Sequence, residues 1–180
     1  MMLFLQALWF LLPAGIANMA PVFASHLFPK WTCPVDGGKT IAGIRIFGDH
    51  KTLRGLASGI IFSTVTFGTQ QIAYHEFVFI RNISILDYAS TSVLMGTLMG
   101  AGALGGDLVK SFFKRRVSIA PGKSWFPFDQ IDWILGTLLV VTPVARVSMA
   151  LALTALTLSL VLSMLIRWIG FLIRLNTSPI

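Results

Sequence analysis

Asp107, Lys110, Ser111 and Lys114 fall at i, i+3, i+4 and i+7, so a helix through them carries a carboxylate, a hydroxyl and two ammonium groups on one stripe. That combination suits a metal-bound polyphosphate, whose oxygens the ammonium groups would neutralise. Asp129 and Asp132, three residues apart, share a face of the first turn of a later helix. Set opposite Asp107, they complete an all-oxygen site for Mg²⁺, an ion that takes a few carboxylates plus phosphate and water in preference to a closed protein cage. Each group also has a plain structural reading. Lys114, Arg115 and Arg116 serve equally well as a basic collar at a bilayer surface, and an acid at the start of a helix favours the positive end of its dipole. The collar does not account for Asp107 beside Gly105-Gly106, and one acid is adequate for the dipole where two stand with a third nearby.

An earlier stretch reads Pro34-Val35-Asp36-Gly37-Gly38-Lys39-Thr40, then Gly48-Asp49-His50-Lys51-Thr52-Leu53-Arg54-Gly55. Its glycines allow close backbone approach to a ligand. Lys51, Thr52, Arg54 and Gly55 open the next apolar run, where the free N–H groups of a helix start bind anions. Alternation over Thr40 to Phe47 predicts a small hairpin above the site. Gly38-Lys39-Thr40 and Gly122-Lys123-Ser124 look like the end of a P-loop, but Cys33 and Val117 occupy the place of its first glycine. His26, His50 and His75 lack metal-ligand spacing, and Cys33 is the only cysteine, which excludes a disulfide scaffold.

These groups need elements to hold them, and the composition says of what kind. The 180 residues are 55% hydrophobic and 12% charged, against roughly 25% charged for a soluble domain. Such a chain belongs in a membrane. Five apolar runs predict an all-α integral membrane protein forming a single domain, with five transmembrane helices over approximately 3–28, 56–74, 89–106, 131–144 and 148–173. Pro13 and Pro21 predict a kink or break in the first near Asn18, whose polar side chain would face protein or a water-filled cavity. Gly96, Gly100, Gly102, Gly105 and Gly106 fit close helix packing. Lys and Arg concentrate in two loops, approximately 29–55 and 107–130. The positive-inside rule makes both cytoplasmic, with the N-terminus outside and Arg167, Arg174 and the C-terminus inside. The net charge of +7 is thereby assigned to one membrane face and gives no argument for nucleic acid.

Gly106-Asp107-Leu108-x-Lys110-Ser111-x-x-Lys114-Arg115, Pro121-Gly122 and Asp129-x-x-Asp132 together resemble the C-terminal signature of the CDP-diacylglycerol synthase superfamily. With Pro34 to Lys39 and Gly48 to Gly55, the pattern looks like the archaeal branch, the CDP-archaeol synthases. Lys110 stands where the bacterial and eukaryotic signature has glutamate, and Gln130 where it has arginine. The resemblance implies a multi-pass cell-membrane nucleotidyltransferase whose active site faces the cytoplasm. It would use Mg²⁺ to transfer CMP from CTP to an isoprenoid ether-lipid phosphate, 2,3-di-O-geranylgeranylglyceryl phosphate, with no protein partner implied. On that reading Asp107, Asp132 and Asp129 hold the metal, and Lys110, Lys114 and Arg115 take triphosphate oxygens. Lys39, Asp49, Lys51, Thr52, Arg54, Gly55 and Ser111 help to enclose the nucleotide.

Two rivals fit less well. A CDP-alcohol phosphotransferase begins its motif Asp-Gly-x-x-Ala-Arg, which Asp36-Gly37-Gly38-Lys39-Thr40-Ile41 does not match, and ends it with a spacing that Asp129-x-x-Asp132 does not match. A small transporter would place ionisable residues at mid-span in repeated halves, whereas the charges here gather at one interface.

Overall fold

In a computed structural model, which describes residues 2–120, 123–145 and 147–172 and omits the side chains of 166, 167 and 169–172, each apolar run is helical over most of its described length. Pro121-Gly122 of the signature, Arg146, Arg174 and the Arg167 side chain lie outside the described residues. The elements in chain order are α1 (Met2–Leu27), a hairpin of β1 (Thr40–Ile41) and β2 (Ile44–Arg45), α2 (Leu53–Glu76), a short α3 (Val78–Ile83), α4 (Leu94–Arg116), α5 (Phe128–Ala145) and α6 (Met149–Leu172).

The side chains that remain exposed around the helices are largely apolar, among them Met19, Phe23, Ile61, Val65, Ile72, Leu94, Leu139 and Leu153. A water-facing surface of that kind would aggregate; a lipid-facing one is at home. Among the described residues, α1 and α5 are long and apolar enough to cross a bilayer. α2 and α4 have the length, at 24 and 23 residues, and turn much of their polarity inward. Ser63 donates to the Gly96 carbonyl at 2.7 Å, Thr64 bonds Thr97 at 2.9 Å, and Gln70 donates to the Trp9 carbonyl at 2.6 Å. Such bonds lower the cost of a polar side chain away from water, although Gln70 Oε1 remains buried without a hydrogen-bond partner.

Small residues set how closely the helices approach. On α1, Ala7, Phe10, Ala14, Ala17 and Ala24 are buried on one stripe. The expected break near Asn18 does not occur: α1 is helical through both prolines. Pro21 has no N–H for the Ala17 carbonyl four residues back, and α2 sets Gly59 against that oxygen, where an added Cβ would come within 2.8 Å. α4 and α5 meet through Gly102, Gly106 and Gly136, and a Cβ at Gly106 would collide with the Asp132 carbonyl. Gly105 differs from its neighbours, having nothing within 4 Å of an added Cβ; it faces a groove and not a helix, contrary to the packing expectation.

α4 begins at Leu94 and not near Ala89, because Asp87 accepts from the Ala89 N–H at 3.2 Å and the Ser90 hydroxyl at 2.6 Å, closing a turn first. α3 was not foreseen. The hairpin is present: Thr40 pairs with Arg45 and Ile41 with Ile44, around Ala42 and Gly43 at φ 51° and 77°, both left-handed as a two-residue hairpin turn of this hand requires.

Candidate active site

The loop before α2 is organised by Asp36, whose side chain is wholly buried. Its carboxylate accepts from the N–H groups of Gly38 and Phe47 at 3.0 Å and of Gly48 at 3.2 Å, and from the Arg45 guanidinium at 2.6 and 3.3 Å. Burial alone would raise the Asp36 pKa, but these donors outweigh it and hold the group well below the usual carboxylate range. Arg45 also pairs with the exposed Asp49. Arg116 at the end of α4 donates to the Arg45 carbonyl at 3.1 Å, so the two basic loops meet at one end of the bundle.

At that end the stripe on α4 faces the start of α5. Lys110 Nζ lies 3.0 Å from Asp107 Oδ1, 3.2 Å from Asp129 Oδ1 and 2.8 Å from Asp132 Oδ2. Asp107 also pairs with Lys51, at the entrance to α2. Lys114 donates to both oxygens of Asp129 at 3.0 and 3.1 Å and to the Lys123 carbonyl at 2.6 Å, and Asp129 accepts from the Trp125 N–H at 2.6 Å. Six charged side chains from three elements thus form one connected network.

A chamber of about 470 Å³ opens on one side of this network, lined by Asp107, Lys51, Thr52, Arg54, Gly55, Asp49, Asn18 and His50. Arg54 is buried in its wall, one guanidinium N–H donating to the Phe28 carbonyl and its Nε without a hydrogen-bond partner. On the other side a groove of about 770 Å³ runs between α4 and α5, from Lys110 and Asp132 along Gly105, Val109, Phe113, Leu135 and Leu139. The chamber mixes charged side chains with apolar ones; the groove is almost wholly apolar. They meet at the Asp107–Lys110 pair.

Several sequence expectations change. Ser111 shares the stripe but donates to the Asp107 carbonyl at 2.8 Å, so its hydroxyl is taken up within the helix. Arg115 lies off the stripe, its Nε buried without a hydrogen-bond partner. Lys39 is exposed beside the hairpin and lines neither cavity. The α2 start offers fewer free donors than foreseen: the Leu53 N–H goes to the Cys33 carbonyl at 2.9 Å, and the Gly55 N–H to Thr52 Oγ1 at 3.2 Å. Thr52 is therefore a helix cap. Asn18, Ser25, Thr32 and His50 were not chosen as site residues yet line the chamber. Asn18, a polar residue at membrane depth, and His50, inside the Gly48 to Gly55 run, carried a signal in the sequence.

The three carboxylates converge on an ammonium group, and among the described residues no three acidic or histidine side chains form a ready-made metal cage. The donor set nonetheless suits a hard divalent cation. Asp132 Oδ2 is buried, lies at ion-pair distance from Lys110 and has no hydrogen-bond partner. The Lys110 ammonium group beside it occupies the point where the acids meet.

Comparison with known proteins gives the family of the chain. The family model described as "CarS-like: CDP-archaeol synthase" matches residues 1–179. The CDP-archaeol synthase of Pyrobaculum aerophilum is 34% identical over 168 residues, 93% of each chain, and that of Pyrococcus furiosus is 35% identical over 165 residues, 91% of this chain and 88% of the relative. A solved structure described as an intramembrane enzyme for archaeal membrane lipids biosynthesis superposes with a TM-score of 0.71 at 30% identity, covering 87% of this chain and 89% of that one. With the matched model spanning nearly its whole length, the chain belongs to the CDP-archaeol synthase family of membrane-lipid nucleotidyltransferases.

Proposed function

We propose that the protein transfers CMP from CTP to 2,3-di-O-geranylgeranylglyceryl phosphate, giving CDP-archaeol and pyrophosphate. The observation that carries this reading is the meeting of a charged chamber and an apolar groove at one ion network. A nucleoside triphosphate fits the first and an isoprenoid chain the second, which brings the lipid phosphate to the α-phosphate. The chamber volume lies within the range typical of small-molecule sites.

A lipid phosphate is already anionic near neutral pH, so the reaction needs no general base. The difficulty is holding two repelling anions in line while neutralising charge as pyrophosphate leaves. Lys51 and Arg54, which line the chamber, supply fixed positive charge around the triphosphate, and Lys114 holds Asp129. Asp107 and Asp132, with Asp129, are the residues that would hold Mg²⁺. When bound there, the ion supplies Lewis-acid polarisation of the α-phosphate. The apolar groove keeps the lipid tails out of water, so that only the phosphate has to reach the network. In this reading five helices, α1, α2, α4, α5 and α6, cross the membrane, and the network faces the cytoplasm with the N-terminus outside. The charge asymmetry of the two loops supports that orientation.

The test uses purified protein, lipid phosphate and labelled CTP. Label at the α-phosphate should appear in a CDP-lipid and label at the γ-phosphate in pyrophosphate, both requiring Mg²⁺. Transfer of the γ-label to lipid would show a kinase and overturn the assignment.

A further inference from the structure

We propose that Lys110 is a positioning residue that stands in for the divalent cation: its ammonium group holds the three carboxylates together and yields its place only when a nucleotide arrives. The role rests on the cytidylyltransferase reading for the identity of the nucleotide, but its geometry is independent of it.

Asp107 and Asp129 each have a second cationic partner, Lys51 and Lys114 respectively, whereas Asp132 has only Lys110 among the described residues. Asp132 Oδ2 is buried 2.8 Å from the Lys110 ammonium group, the contact that holds it. Without the ammonium group, three carboxylates on two facing helices would repel, and the largely buried acid would lack a counter-ion. The three acids are balanced by three lysines, so a divalent ion entering with Lys110 in place adds two uncompensated positive charges beside an ammonium group. That is unfavourable in a half-buried site. A triphosphate reverses the balance: its oxygens can draw Lys110 toward the chamber as the ion takes the carboxylates. Cation and nucleotide therefore favour one another's binding, and by linkage the effect is reciprocal.

Mn²⁺ provides a spectroscopic probe on the full chain in detergent, without nucleotide. Wild type should bind Mn²⁺ weakly. Lys110→Met and Lys110→Gln, which leave three acids against two lysines, should bind it at least about tenfold more tightly, and adding Asp132→Asn should abolish the gain. Lys110→Arg, still charged, should behave as wild type. A merely structural ion pair predicts no such gain. Mn²⁺ affinity in Lys110→Met and Lys110→Gln equal to or below that of wild type would overturn the proposal. So would tight nucleotide-free binding by wild type. If wild type still binds Mn²⁺ with CTP while the variants gain nothing, only the stand-in role is lost. If CTP binds in no condition, the functional reading fails instead.

Discussion

Replacing Gly106 by alanine should damage both stability and turnover, whereas the same change at Gly105 should not. A Cβ at position 106 would fall on the Asp132 carbonyl and lie 3.2 Å from Gly136 Cα, so relief requires α4 and α5 to separate by something on the order of 1 Å. Overpacking of this kind costs about 1–3 kcal/mol, against a gain of about 1 kcal/mol from replacing glycine within a helix. The larger effect is chemical. Asp107 and Lys110 lie on α4, Asp129 and Asp132 on α5, and a 1 Å misplacement of reacting groups costs about 100-fold in rate. Gly105 has nothing within 4 Å of an added Cβ, so Gly105→Ala keeps the helix gain and leaves the spacing intact. Thermal denaturation in detergent together with CDP-lipid formation from CTP reads both effects. Wild-type turnover in Gly106→Ala would refute the claim that this contact sets the geometry of the acids.

Asp36→Asn should loosen the loop before α2 by about 2–4 kcal/mol, because a buried acceptor of several N–H groups and of Arg45 is neutralised; hydrogen exchange over 36–49 would show it. In wild type, the Asp36 pKa is lower folded than unfolded, so its stabilisation is complete above about pH 4 and declines as pH falls below that. A loop equally protected at pH 3 and pH 6 would contradict that reasoning. Leu135→Trp, filling the apolar groove, should raise KM for the lipid phosphate about tenfold or more and leave KM for CTP within about twofold; equal changes in both would place the lipid elsewhere.

The helical stripe was legible because a 3.6-residue period puts Asp107, Lys110 and Lys114 on one face whatever surrounds it, and Asp129 and Asp132 follow from the same arithmetic. Ser111 shares that period, but its short hydroxyl reaches its own helix carbonyl first. The run Asp49 to Gly55 pointed to the chamber, yet spacing alone could not say that Thr52 would cap α2 and Arg54 would bond the Phe28 carbonyl. Lys39, outside that run and just before the hairpin, is exposed and lines neither cavity. The chamber also draws on Asn18 and Ser25 of α1, far from that run in the chain, and such a wall has no linear pattern. The groove was hidden because residues lining it, such as Leu135 and Leu139, are of the same types as those facing lipid. Proline's local cost predicted a break in α1, but tertiary packing of Gly55 and Gly59 against Pro21 and the Ala17 carbonyl accompanies an unbroken helix.

The central claim is that acids from two helices act together on one cation and nucleotide. Asp107→Asn and Asp132→Asn should each reduce Mg²⁺-dependent CDP-lipid formation by about 1,000-fold or more, the loss of roughly 4 kcal/mol of transition-state stabilisation, while the folded protein remains recoverable in detergent. Near wild-type turnover in either well-folded variant would contradict the account.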